Sequence, residues 1–142
     1  MNFHSDYYTI RAMNFTAQAS GAANGVSIDV AGAVGAGAAP GGWKSATFIC
    51  VADNGASGTT TFKLQESSDN SNWSDISGAS AVHSEASAQT IVLLVLKDLH
   101  ARLRYLRVVS TVATTNSDMT GALVALGGSA LAVPTSMTAV VV

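Results

Sequence analysis

Phe62-Lys63-Leu64-Gln65-Glu66-Ser67-Ser68-Asp69-Asn70-Ser71-Asn72-Trp73-Ser74-Asp75-Ile76 is the stretch on which the fold turns. Its first half alternates: Phe62 and Leu64 share one face, while Thr61, Lys63 and Gln65 share the other, the period of a half-buried strand. The run Ser67-Ser68-Asp69-Asn70-Ser71-Asn72 breaks that pattern. Side chains of this kind make turns by hydrogen-bonding to nearby backbone. The extended pattern resumes at Trp73-Ser74-Asp75-Ile76. Such a hairpin is expected to set Trp73 across from Phe62 or Leu64, where an aromatic cross-strand pair fixes the register.

Outward from the hairpin, β-branched and aromatic residues fall in short runs separated by Gly, Asn, Asp and Ser. No segment sustains a helical period, and only residues 80–88 leave room for a short helix. Residues 7–12 read as a first strand or an extended arm. Val26, Ile28 and Val30 alternate with Ser27 and Asp29 as a half-buried strand. Residues 46–52 and 89–97 are apolar on both faces, as central strands are. Residues 102–112 and 119–126 complete the series, and 53–58, 77–88 and 114–118 read as turns and loops. The expected fold is all-β: an antiparallel β-sandwich or jelly roll of about seven or eight strands, with turn signals roughly every ten residues. It occupies one domain, 1–142, with extended arms at 1–25 and 131–142 and a Gly/Ala-rich loop at 31–42. Phe48, Ile49, Phe62, Leu64, Trp73, Ile91, Leu93, Tyr105 and Val109 are its expected core.

Charge is scarce. Asp, Glu, Lys and Arg make up 11% of the chain, against roughly 25% in an ordinary soluble domain. Between Ala12 and Trp43 the only charged side chain is Asp29, and none follows Asp118. Small, weakly hydrated side chains cost little entropy to order against a neighbour. Residues 31–42 hold too few side chains to build a core, and glycine makes their ordering expensive. Residues 131–142 carry Pro134, which cannot donate to a central ladder, and an uncharged apolar end, Val140-Val141-Val142, prone to aggregate when free. Both segments are expected to be contact elements. The alternative for the second is an edge strand of the chain's own sandwich.

The net charge of −2, with nine acids to seven bases, is a poor match for nucleic acid, whose binding needs surplus Lys and Arg. Lys97, Arg102, Arg104 and Arg107 cluster, but with Asp98 among them they read as an ion-pairing or protein-interface patch. Strand parity puts Arg102 and Arg104 on one face and Arg107 on the other. The single cysteine, Cys50, lies in an apolar run and reads as a buried structural thiol. Residues 1–6 lack the basic start and apolar run of a signal peptide. The aliphatic run 91–96 falls far short of the ~20 residues that cross a bilayer as a helix.

Chemistry-bearing motifs are wanting. His4, His83 and His100 are scattered, without metal-pair spacing. Gly35-Ala36-Gly37 sits in low complexity, and no nucleophile elbow or phosphate loop occurs. Asp69, Asn70, Ser71, Asn72 and Asp75 could offer oxygens to calcium, but the spacing of a calcium loop is missing and a polar hairpin turn explains them. Asn14-Phe15-Thr16 and Asn72-Trp73-Ser74 match the glycosylation pattern by chance. The chain is expected to be no enzyme and to take no cofactor and no metal.

The segment from Phe62 to Ile76 resembles a hairpin of small phage virion proteins, in which a Leu-Gln-x-Ser strand crosses a polar turn into Trp-x-Asp-Ile/Val. Arg104-Tyr105-Leu106-Arg107-Val108-Val109 resembles the matching later strand. Together they cover about a third of the chain, all in its second half, and make it similar to head decoration (cement) and other accessory structural proteins of tailed bacteriophages. The resemblance implies a non-enzymatic virion protein, made in the host cytoplasm and carried on the outer surface of the phage head. Its partners would be the major capsid protein and copies of itself, as a homotrimer. Arg102, Arg104, Arg107, Val140, Val141 and Val142 are the expected interface residues. The rival expectation is a sandwich module of a tail or fibre that binds a host receptor or glycan, which would favour exposed aromatics over a groove.

Overall fold

Apolar runs too short for helices, each ended by turn-forming residues, leave the backbone one way to satisfy its hydrogen bonds, which is to pair run against run. The computed structural model describes residues 7–30, 43–53, 58–84, 91–113, 116–127 and 138–142. Ten strands appear among them: β1 (Tyr7–Gln18), β2 (Gly21–Asn24), β3 (Ile28–Asp29), β4 (Ser45–Asp53), β5 (Thr59–Ser67), β6 (Ser74–Ser84), β7 (Ile91–Leu96), β8 (Tyr105–Ala113), β9 (Ser117–Gly127) and β10 (Thr138–Val141). One sheet has the order β1-β9-β4-β7-β10; the other has the order β2-β8-β5-β6, with β3 also paired to β8. The all-β sandwich is as expected, with more strands than the seven or eight read from the sequence.

The core is where the facing sides of the two sheets meet. Phe48, Cys50, Leu94, Val124 and Leu126 from the first sheet pack with Phe62, Leu64, Ile76, Leu106 and Val108 from the second. Burying each large aliphatic or aromatic side chain contributes about 1.5–3 kcal/mol. β4 and β7 are apolar on both faces because both lie inside their sheet, each with a strand on either side. β5 keeps the alternation read from its sequence, with Phe62 and Leu64 fully buried and Lys63 and Gln65 half-buried on the outer face. Cys50 is buried, and desolvation pushes its thiol far above the ordinary cysteine range.

Several expectations are corrected. Residues 7–24 are not an arm: β1 pairs antiparallel with β9 from Tyr7↔Gly127 to Gln18↔Ser117, and β2 pairs with β8. Residues 138–142 are likewise not an arm. β10 runs parallel to β7, and Val142 continues that pairing through bonds to the Val95 carbonyl and the Lys97 amide. An apolar end without charges gains more from closing its own sheet than from solvent, and the parallel ladder means the sheet is not wholly antiparallel. Val140 and Val142 pack against the core, while Val141 is 43% exposed. Residues 77–84 belong to β6, leaving no loop or helix there. The half-buried strand expected at 26–30 shrinks to Ile28–Asp29, with Val26 exposed. A 3₁₀ turn, Leu99–Ala101, precedes β8, and the Asp98 carboxylate accepts from the His100 amide.

Of the expected core, Phe48, Phe62, Leu64, Leu93 and Val109 are buried; Ile49, Ile91, Tyr105 and Trp73 are only half-buried. Trp73 is the instructive one. The β5–β6 register sets Phe62 opposite Ala81 and Glu66 opposite Ser74, so Trp73 sits past the end of the ladder and never meets Phe62 or Leu64. Residues 1–6 with His4, the expected loop at 31–42, residues 54–57 and 114–115 of the expected turns, residues 85–90 of the expected loop, short helix and strand, and residues 131–137 of the expected arm lie outside the described residues.

Candidate interaction surface

Alternation in β5 pushes its polar side chains to the outside of the second sheet, and the register decides what they meet. Gln65 stands directly opposite Asp75 on β6 and Arg107 on β8. Its Nε2 donates to Asp75 Oδ1 at 2.6 Å, and its Oε1 accepts from Arg107 Nε at 2.8 Å. Lys63, two residues earlier on the same face, donates from Nζ to Asp75 Oδ2 at 2.8 Å. The Arg107 guanidinium carbon lies 4.3 Å from the centre of the Trp73 ring, within cation–π range. Lys63, Asp75, Gln65, Arg107 and Trp73 thus form one continuous row across three strands. Hydrogen bonds from Lys63 and then Gln65 hold the Asp75 carboxyl below its usual range, while partial burial lowers Arg107.

A second group borders this row. Arg104 grips Asp29 of β3 with Nε 3.1 Å from both carboxylate oxygens and Nη2 2.8 Å from Oδ2. That hydrogen bonding, and then the charge of Asp29, raises the Arg104 pKa further. Arg104 also lies 5.1 Å from the Tyr105 ring centre. Arg102 reaches Glu66 at 3.9 Å, and the same carboxylate accepts from the Leu103 amide. The strand parity drawn for the arginines therefore applies only to Arg107, because β8 begins at Tyr105 and Arg102 and Arg104 precede it. Each of the three has an acidic or amide partner: Glu66 for Arg102, Asp29 for Arg104 and Gln65 for Arg107. Val140, Val141 and Val142 belong to the edge of the other sheet and do not join them; Val142 instead approaches Gly78 of β6.

The polar turn between β5 and β6 is occupied by its own hydrogen bonds. Asp69 Oδ1 accepts from the Ser71 and Asn72 amides at 2.9 and 2.8 Å, and Oδ2 from Asn72 Nδ2 at 2.7 Å. Those bonds hold the Asp69 carboxyl well below the usual carboxylate range. Asn70, at φ 60°, takes the left-handed position that asparagine tolerates. No group of three or more His, Cys, Asp or Glu fit to hold a metal occurs among the described residues. Sequence reading found the arginines but missed Gln65, the residue that joins them to Asp75. Its signal was its position in the alternation, outward between two strands carrying opposite charges.

No protein-family model and no curated protein sequence matches the chain. Among solved structures it is similar to the PBSX exported protein XepA, with 15% identity and a TM-score of 0.58 over 91% of this chain and 40% of XepA. The chain thus spans two fifths of that protein's length. It is also similar to the SPBc2 prophage-derived protein YomS, with 11% identity and a TM-score of 0.53 over 85% of this chain and 92% of YomS. The likeness at these identities is one of fold.

Proposed function

We propose that the chain is a non-enzymatic structural protein of a tailed-phage particle that decorates the head, binding the major capsid protein lattice as a homotrimer. The observation that carries this reading is the sandwich itself, shared over 91% and 85% of the chain with two proteins of prophage origin. The scarcity of charge fits a surface that spends its life against protein. The row from Lys63 to Trp73 fits a docking face, because its side chains are already ordered and lose little more freedom on binding. Arginine and tryptophan are also the side chains that dominate protein interfaces.

Binding to heads tests the reading. The recombinant protein should cosediment saturably with heads, stripped of decoration, of the phage that encodes it. Arg107→Ala and Gln65→Leu should weaken that binding while leaving the domain folded. Attachment to isolated tails or fibres, with none to heads, would replace decoration by the rival placement; attachment to neither would sink both.

A further inference from the structure

Lys63, Arg102 and Arg104 each face a carboxylate within the chain. Lys63 Nζ lies 2.8 Å from Asp75, Arg104 Nη2 2.8 Å from Asp29, and Arg102 Nη1 3.9 Å from Glu66. Arg107 does not. Its Nε donates to the neutral Gln65 at 2.8 Å, and it joins no ion pair among the described residues. β5 and β6 carry one carboxylate each, and both are taken: Asp75 accepts from Gln65 and Lys63, and Glu66 from the Leu103 amide. Arg107 is half-buried, so its charge has lost part of its water without gaining a counter-charge. Two neighbours hold the guanidinium in place. The Trp73 ring centre lies 4.3 Å from its central carbon, and Gln65 occupies Nε. Nη1 and Nη2 make no hydrogen bond among the described residues, and neither is buried. A guanidinium engaged only at Nε still offers both Nη at its far end, a fork that matches the two oxygens of one carboxylate.

We propose that Arg107 receives an Asp or Glu side chain of the major capsid protein, bound end-on through Nη1 and Nη2. Such a pairing rests on head decoration and names the group that the docking face takes. Two cations, Lys63 and Arg107, against one anion, Asp75, leave the row with a single positive charge. That is too little for a phosphate backbone, whose binding needs several cations. It suits one carboxylate, because a desolvated arginine fork beside a tryptophan gains most where a protein partner excludes water.

Heads of the encoding phage, stripped of decoration, provide the assay. Arg107→Gln should keep the cooperative unfolding transition of the parent chain and weaken head binding about 10- to 100-fold, the range of one charged hydrogen-bonded pair. Arg107→Glu should weaken it further, since like charges then meet. Arg107→Lys keeps the charge and supplies an amine. Treated with a carbodiimide while it saturates the heads, that variant should become joined through position 107 to an Asp or Glu of the capsid protein, in a cross-linked peptide mapped by mass spectrometry. If the parent chain binds no heads, the decoration reading fails and this pairing with it. If the parent binds heads, the pairing alone is overturned in either of two ways: Arg107→Gln or Arg107→Glu binds as tightly as the parent, or the amine at 107 is joined only to a second copy of the chain or to nothing on the head.

Discussion

At Gly25 the chain passes close to the backbone of both sheets, and its replacement by alanine tests that seam directly. The Gly25 amide donates to the Val108 carbonyl of β8 at 2.8 Å, and the next amide, Val26, donates to Ala12 of β1 at 2.8 Å. One dipeptide therefore ties both sheets together. A Cβ at position 25 would collide with the Ala12 carbonyl oxygen and lie 2.9 Å from both the Val108 carbonyl oxygen and Cγ1. Two of those three obstacles are backbone and cannot swing aside as a side-chain tip would. Overpacking of this kind costs about 1–3 kcal/mol. Relief by moving the segment outward would weaken two hydrogen bonds of about 1 kcal/mol each. Gly25→Ala should therefore destabilise by about 2–3 kcal/mol, whichever way the strain is taken up. In a chain of this size that lowers the melting temperature by roughly 5–10 °C. Urea denaturation followed by tryptophan fluorescence measures it, with the unchanged m-value as the check that the transition stays two-state. A loss below about 1 kcal/mol would refute the close approach of β2 to β1 and β8.

Phe62→Ala should cost about 3–5 kcal/mol as a core truncation. Trp73→Ala should cost only ~1–2, since that ring is half-buried beneath Arg107; equal losses in the same denaturation assay would return Trp73 to the core. Cys50 should resist a water-soluble disulfide reagent in the folded protein and react at once in denaturant, and rapid labelling under native conditions would contradict its burial. Asp69 has a depressed carboxyl, so its stabilisation is present above the unfolded-state value near ~4 and is lost as pH falls below it. Thermal melts from pH 5 to pH 2 should accordingly slope less steeply for Asp69→Ala than for the parent chain, and identical slopes would argue against the hydrogen-bonded turn.

What could be read from the residues alone was whatever the local pattern carries. The doubly apolar runs of β4 and β7 revealed central strands, and the alternation Phe62, Leu64 against Lys63, Gln65 gave the two faces of β5. β6 was lost beyond Ile76 because its register slips. Lys63 pairs with Ser80 but Gln65 with Asp75, so Ile76, Ala79 and the positive-φ Gly78 bulge out between them. That bulge hides the period of two behind serines. β2, reading Gly-Ala-Ala-Asn, has no β-branched residue to mark it. The valines of β10 were visibly apolar, yet their partner is set by a parallel pairing with β7, more than 40 positions away, and nothing local encodes that. Trp73 misled for a related reason: the turn held by Asp69 ends the ladder at Glu66–Ser74, one residue too soon to bring the indole inside. The arginine patch was legible as a cluster of like charges, but its organisation by Gln65 needed the register of three strands.

Electron cryomicroscopy of purified particles of the encoding phage bears most directly on the central claim. The account predicts density on the outer surface of the head, at junctions between capsid subunits and repeated by three-fold symmetry. Each lobe should accept the pair of five-stranded sheets, with the outer face of β5, β6 and β8 turned toward the capsid. Heads whose surface carries no such lobe, with the sandwich found on the tail or missing from the particle, would contradict it.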